Sequence, residues 1–249
     1  MGKKRLRADQ ALVEQGLAPS RAKAQALILA GQVLIGDRRV DKPGTAVTEP
    51  ENLRLKDQDH PWVSRGGLKL DKALDYFGLD VTDAVALDIG ASTGGFTHVL
   101  LTRGARCVYA VDVGHGQLAW TLRQDERVVV LERTNARHLS PEHIPVPPTL
   151  MVCDASFIGL RTVLPASLAL AAPGAHLVAL IKPQFEAGRD RVGKNGVVSD
   201  PAVHQEVCDA IAAWLASDGS WLVQGVTESP ITGPAGNTEF LIAAVKRGA

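Results

Sequence analysis

Hydrophobic positions fall into two regimes along the chain. Over residues 5–57 they form short, scattered clusters. From about residue 64 onward, unbroken apolar runs alternate with helix-spaced stretches. In the first regime the spacing predicts a helix from about Asp9 to Gln15, closed by Gly16. A second helix is capped by Ser20 and ended by Gly31, with Ala22, Ala26, Leu29 and Ala30 as its apolar face. Val33 to Ile35 predicts a strand, Gly36-Asp37 a turn and Arg38-Arg39-Val40 the return. Lys42-Pro43-Gly44 turns again, and Leu53 and Leu55 alternate as a last strand. Asp57 to Pro61 is polar and carries a proline, which is linker composition. The expected division is a small α+β module over 1–59, a linker over 60–63 and a larger domain over 64–249.

The second regime opens with a helix burying Leu70, Ala73, Leu74 and Phe77 and stopping at Gly78; Lys69 lies off that stripe. Ala84–Leu87, Val108–Val111, Val128–Leu131, Leu150–Cys153 and His176–Ile181 then read as strands, followed by Trp221–Val226 and Phe240–Val245. Helices are expected after Gly95, over Gln117–Arg123, over the stretch marked by Leu160, Val163, Leu164, Ser167, Leu168 and Ala171, and over Pro201–Ala216. Residues 186–198 are charged and glycine-rich and read as a mobile loop. Seven strands with interleaved helices predict a doubly wound, Rossmann-like α/β domain. The last two strands lack a helix between them and should pair antiparallel.

The stretch Leu-Asp-Ile-Gly-Ala-Ser-Thr-Gly-Gly-Phe, residues 87–96, joins the first of these strands to a helix. Ligands of open parallel sheets bind at such junctions. A dinucleotide fingerprint would read G-x-G-x-x-G; here a serine holds the second glycine position and Asp88 adds an anion, which suits a cation better than a phosphate. The strand at 108–111 ends in Asp112, where an acid typically takes ribose hydroxyls. The loop resembles that of S-adenosylmethionine-dependent methyltransferases; a tight turn in another α/β protein is the plainer alternative. The resemblance assigns cofactor contacts to Asp88, Gly90, Ala91, Ser92, Gly94, Gly95, Phe96, Asp112, Val113, Asn135 and Asp154.

Composition sharpens this. Net charge is zero overall, yet residues 1–69 hold 13 Lys/Arg against 8 Asp/Glu, and the remainder is correspondingly acidic. A basic front part points to an anionic partner, with nucleic acid first; a solvated basic face is the alternative. Three scattered cysteines, Cys107, Cys153 and Cys208, show neither disulfide nor zinc spacing. Cys107 and Cys153 are expected as buried thiols in a reducing cytoplasm. No apolar segment follows the basic start, so no signal peptide is expected. The stretch Leu164–Ile181 is broken by Pro165, Pro173 and Gly174, so no membrane span is expected either.

The order S-R-x-K-A-x-x-L-I-x-x-G-x-V, from Ser20 to Val33, resembles the RNA-binding domain of the ribosomal protein S-four family. That resemblance puts Arg5, Arg7, Arg21, Lys23, Arg38, Arg39 and Lys42 on an RNA face, contacting phosphates without reading sequence. Arg65, Arg189 and Arg191 are candidates for further RNA contacts. Lys69, Asp154, Lys182 and Glu239 match, in order and type, the Lys-Asp-Lys-Glu tetrad of FtsJ-like 2′-O-methyltransferases. A ribose hydroxyl is a poor nucleophile until its proton is accepted. A lysine can accept it when neutral, a form that a second cation nearby favours. The expected roles are Lys182 as acceptor, Lys69 as neighbouring cation, and Asp154 and Glu239 as orienting carboxylates.

Six segments, V-S-R-G-G-L-K-L, D-I-G-A-S-T-G-G-F-T, V-D-V-G-H-G-Q-L-A-W, L-E-R-T-N-A-R, K-P-Q-F-E and P-I-T-G-P-A-G-N-T-E-F, extend the resemblance to most of the chain, about Lys4 to Lys246. They are similar to the TlyA (haemolysin A-like) family of ribosomal RNA 2′-O-methyltransferases. The resemblance implies cytidine 2′-O-methylation of ribosomal RNA by a cytoplasmic enzyme linked to capreomycin susceptibility. Its expected partners are S-adenosylmethionine and ribosomal subunits, with no membrane, no metal and a monomeric or weakly dimeric state. The chain's stop at Ala249 resembles the short members, which act on the large subunit. Two alternatives stand beside this reading: a haemolysin or membrane-active protein, and a non-catalytic RNA-binding ribosome assembly factor.

Overall fold

The computed structural model describes residues 6–36, 38–47, 53–55, 60–217 and 219–248. Arg5, Asp37 of the expected turn and the linker residues 57–59 lie outside them. The chain packs as two units, the first ending at Pro61 and the second beginning at Trp62. Trp62 and Val63, expected in the linker, therefore belong to the larger unit.

In the first unit, β1 (Leu6–Arg7) pairs antiparallel with β4 (Ala46–Val47), and β2 (Val33–Ile35) sits between β3 (Arg38–Arg39) and β5 (Leu53–Leu55). Helices α1 (Ala8–Glu14) and α2 (Arg21–Leu29) pack together, and Ser20 caps α2 by accepting from Lys23 N–H at 3.3 Å. The buried face of α2 is Ala24 and Ile28, not Ala22, Ala26, Leu29 and Ala30, all of which are exposed. Apolar residues lie all round this helix, so the stripe's phase is set by what α1 and β2 present: Leu12 and Val33 join Ala24 and Ile28 in one core.

Asp9, on α1, is fully buried, and its carboxylate accepts from Arg7 Nε at 3.0 Å, Arg21 Nε at 2.9 Å and Gln25 Nε2 at 3.0 Å. The arginines that cover it are themselves about half exposed. The hydrogen bond from Arg7 leads the causes that hold the Asp9 carboxyl far below the usual carboxylate range. A depressed folded-state value means the stabilisation is present above about pH 4 and is lost as pH falls toward that value. Amide exchange in α1 and α2 should therefore speed up as the wild-type protein is acidified below about pH 4. Asp9→Asn should already exchange faster at pH 7, by a loss of about 1–3 kcal/mol, and change little on acidification.

The second unit holds α3 (Gly67–Phe77), β6 (Val85–Ile89), α4 (Gly95–Thr102), β7 (Cys107–Val111), α5 (Trp120–Arg123), β8 (Val128–Leu131), β9 (Leu150–Cys153), α6 (Leu160–Val163), α7 (Pro165–Leu170), β10 (His176–Ile181), α8 (Pro183–Glu186), α9 (Pro201–Ala216), β11 (Trp221–Glu228) and β12 (Phe240–Lys246). The sheet order is β11-β12-β10-β9-β6-β7-β8. β12 is antiparallel to both neighbours and the remaining pairings are parallel. This is the doubly wound seven-stranded domain, with its switch of winding between β6 and β9. Expected helix 117–123 is only Trp120–Arg123, because Ala119 N–H is drawn away to Thr93 O. Pro165 splits the next helix into α6 and α7. Of the thiols, Cys153 is buried, whereas Cys107 is only partly so.

Side-chain alternation along β6 sends Val85, Leu87 and Ile89 to the core on one face and Ala86 to the core on the other. Each fully buried Leu or Ile contributes about 1.5–3 kcal/mol. The same alternation puts Asp88 on the face of Ala86, where α3 and α4 pack.

Candidate active site

At the carboxyl end of β6 the chain turns through Gly90, at φ +82°. A Cβ there would lie 2.9 Å from the backbone of Ala155, so only glycine lets the β6 and β9 loops meet. Gly95 starts α4, and a Cβ on it would lie 2.9 Å from the backbone nitrogen of Gly67. From the next strand, Asp112 reaches back: one oxygen accepts from Ser92 N–H at 2.8 Å and the other from Gly114 N–H at 2.7 Å.

These loops border a cleft of about 440 Å³, lined by Gly90, Ser92, Asp112, Val113, Asn135 and Asp154 among others. A second cleft of about 250 Å³ takes in Lys69, Lys182 and Glu239, and also Ala91, Gly95, Phe96 and Arg65. The two share Gly90, Ser92, Asp154 and Ser156, so they form one continuous strip along the strand ends.

Two nominated cofactor residues line neither part. Gly94 is a packing glycine: a Cβ on it would run into Leu118 and Leu122. Asp88 belongs to β6 rather than to the loop, and it is fully buried. Thr97 Oγ1 of α4 donates to its Oδ2 at 2.6 Å, and Oδ1 has no hydrogen-bond partner. Its contact is therefore with the helix beneath the loop, and any effect on a ligand passes through that helix and through charge.

The site fits a ligand the size of S-adenosylmethionine, since clefts for such molecules start near 300 Å³. After its two amide bonds, the Asp112 carboxylate keeps lone pairs for a ribose diol. The Asp112 carboxylate at the cleft wall and the unpartnered oxygen of Asp88 beneath the loop favour a positive charge in the cleft.

The four tetrad residues meet in the smaller cleft. Lys69, on α3, lies 2.7 Å from Glu239 Oε2 and 3.3 Å from Asp154 Oδ2. Lys182 Nζ lies 2.6 Å from Asp154 Oδ1 and donates to Asp154 O at 3.1 Å and to Ser156 Oγ at 2.8 Å. The two shortest contacts are ion pairs whose angles fall outside hydrogen-bond geometry, so Asp154 Oδ1 and Glu239 Oε2 have no aligned donor. Lys69, Lys182 and Glu239 are almost fully buried, while Asp154 keeps a fifth of its side chain open to the cleft. Lys182 is extended, at φ −111° and ψ 100°, as the following Pro183 requires.

Sequence reasoning missed several residues here. Ser156 holds Lys182. Phe157, beside it, is bulky yet adopts φ +65°, is 91% exposed and lies 5.4 Å from the Phe185 ring; such a conformation is a strained outlier for an aromatic residue. Asn237 is buried, accepts from Val198 N–H at 2.9 Å and donates to Gly196 O at 2.8 Å. It pins the segment expected to be mobile, which is further held by Arg191 on Glu206 at 2.6 Å. Ser156 and Phe157 stand in no motif, and Asn237 lies in the segment P-I-T-G-P-A-G-N-T-E-F, which does not by itself give its role.

Of the RNA candidates, Arg7, Arg21, Lys23, Arg38, Arg39, Lys42, Arg65, Arg189 and Arg191 are exposed or half-buried. Arg39 and Arg191 are each engaged by a carboxylate, Asp41 and Glu206. Exposed pairs of this kind are worth about 0–1 kcal/mol, so a phosphate can displace them. Among the described residues, no group of three or more His, Cys, Asp or Glu side chains could hold a metal ion.

Burial, opposed by the Thr97 hydrogen bond, pushes the Asp88 carboxyl up to about 7. A raised folded-state value makes stability fall as pH rises from about 4 to about 7, where the unfolded chain has shed a proton that the folded one retains. Thermal melts should show that decline in the wild-type protein and a flatter profile in Asp88→Asn, which should match or exceed the wild type at pH 8.

Residues 62–246 match the FtsJ-like methyltransferase family and residues 6–52 match the S4 domain. The chain is 50% identical to the 16S/23S rRNA (cytidine-2′-O)-methyltransferase TlyA of Mycobacterium tuberculosis over 240 residues, 96% of this chain and 89% of that one. It is 34% identical to the 23S rRNA (cytidine-2′-O)-methyltransferase TlyA of Campylobacter jejuni, over 79% of this chain and 76% of that one. A solved structure of a candidate haemolysin from Streptococcus thermophilus superposes with a TM-score of 0.76 at 44% identity, covering 98% of this chain and 90% of that one.

Proposed function

The chain belongs to the FtsJ-like methyltransferase family and is thereby an S-adenosylmethionine-dependent enzyme, and we propose that it methylates the ribose 2′-hydroxyl of a cytidine in ribosomal RNA, in the large subunit at least. The observation that carries the chemistry is the buried Lys69–Asp154–Lys182 chain, closed by Glu239, in one cleft with the glycine-rich loop. Large-subunit RNA is the substrate that the names of both curated relatives share. A cytoplasmic site of action follows from a ribosomal substrate. The haemolysin alternative has a relative's name in its favour; no helix among the described residues is long and apolar enough to cross a membrane.

S-adenosylmethionine supplies an electrophilic methyl group on a sulfonium. Lys182 stands ready to accept the hydroxyl proton at Nζ, once it has shed its own. Its three contacts, Asp154 Oδ1, Asp154 O and Ser156 Oγ, fix where that nitrogen sits. Lys69, bound between Glu239 and Asp154, keeps positive charge beside the site and holds Asp154 in place. In-line positioning of hydroxyl and methyl supplies much of the rate, up to about 7–11 kcal/mol. Phe157 offers an exposed ring at the rim, suited to stacking an unpaired base, an interaction worth about 1–3 kcal/mol.

Transfer of labelled methyl to purified ribosomal subunits tests this directly. Lys182→Ala and Lys182→Arg should both lose about 10²–10⁴-fold in rate while keeping cofactor and RNA affinity, because arginine does not give up its proton. A near wild-type rate in Lys182→Arg would leave electrostatic positioning, not proton acceptance, as the role.

The front unit supplies RNA affinity on this reading. Asp9 holds Arg7 and Arg21 side by side, preorganised for phosphate. Arg21→Ala should weaken binding to a ribosomal RNA fragment and lower the salt-dependence slope by about one, with cofactor affinity unchanged in calorimetry. An unchanged slope would remove Arg21 from the interface.

A further inference from the structure

Glu132 follows directly on β8 and has no part in the chemistry above. Only 10% of its side chain is exposed. Oε1 accepts from the backbone N–H of Gln117 at 3.2 Å and from Arg123 at 2.6 Å, and Oε2 lies 3.1 Å from His115 Nδ1. Together these donors hold the Glu132 carboxyl down at about 2, backbone amide hydrogen bonding leading and the Arg123 guanidinium adding to it. Gly116, at φ +68°, permits the turn that presents the Gln117 amide to the carboxylate. An amide and charged side chains directed at one point form an anion site, and here the anion is a side chain of the same protein.

The other side of this segment is cleft wall. Val113 and Gln117 line the 440 Å³ cleft. Gln117 Oε1 accepts from Ser92 Oγ at 3.3 Å, and Gly114 N–H donates to Asp112. α5 begins only at Trp120, so no helical ladder holds residues 113–118. Asp112 holds the Gly114 amide of this wall and Glu132 holds the Gln117 amide.

We propose that Glu132 is a positioning residue for S-adenosylmethionine: by holding the Gln117 amide together with His115 and Arg123 it sets the wall 113–118 in its binding shape before the cofactor arrives. The inference rests on reading the 440 Å³ cleft as the cofactor site. Glu132→Gln keeps the side chain's size but removes the charge that the converging donors require.

Calorimetric titration of the full-length protein with S-adenosylmethionine, together with hydrogen exchange, tests it. Glu132→Gln should weaken cofactor binding about tenfold, the loss of roughly one charged hydrogen bond. It should raise the KM for cofactor while kcat at saturation holds, and exchange should quicken only over 113–118. In the wild-type protein without cofactor, the amide of Gln117 should already be protected. A cofactor Kd within about twofold of wild type in Glu132→Gln would overturn the proposal. So would a wild-type Gln117 amide that exchanges as fast as an open loop, and this second measurement decides the matter if the variant fails to fold. Asp112→Ala separates the two levels: unchanged cofactor binding there would refute the cleft's assignment itself, and the role of Glu132 with it.

Discussion

The active centre depends on keeping two ammonium groups out of bulk water. Lys69 and Lys182 are almost fully buried, and a buried lysine stays charged only beside a carboxylate. The carboxylates come from distant places in the chain, so topology has to deliver them. Asp154 arrives at the end of β9. Glu239 arrives because β12 runs against β10: Phe240 pairs with Ile181, which brings the residue before β12 alongside the residue after β10. In a parallel strand, the residue preceding it would have emerged at the opposite edge of the sheet. The reversed last strand is thus a requirement of the charge cluster, and Lys72 on Glu228 O ties α3, and Arg65 on Thr232 O the turn before it, to the segment that leads into β12.

What could be read from the sequence was whatever has a period or a steric signature. The strands and the glycines at 90 and 95 are of this kind, because a tight approach admits only glycine and buried runs read as parallel strands; the tetrad was legible only through its resemblance to the FtsJ-like pattern. Asp88 was misread because a strand-end residue and a loop residue look alike in one dimension. The alternation along β6 turns it under α4 and onto Thr97. The phase of α2 was misread because its apolar residues cover the whole circumference, leaving tertiary neighbours to choose. Ser156 had no signal, and Asn237 and Glu132 stood inside segments that resemble the family without a spacing that gives their roles. Each acts through a hydrogen bond to a residue or backbone group brought near by folding, which no local spacing encodes.

Three buried carboxylates show how donors decide what burial does. Asp9 and Glu132 are enclosed by guanidinium and amide donors, and both carboxyls sit far below their usual range. Asp88 has one hydroxyl donor and lies near the charges of Asp154 and Asp112, and its carboxyl sits near 7. The first two are saturated and serve as fixed anchors, one for a pair of arginines and one for a loop. Asp88 is the unsaturated member, and it lies near the carboxyl end of β6, beneath the loop that borders both clefts. A cation arriving in those clefts lowers the cost of charging this carboxyl, through the helix and the field and without contact. Within the second unit, one anchor of the cleft wall and one under-compensated acid beneath the loop give a pocket whose shape rests on Glu132 and whose charge is completed by the ligand.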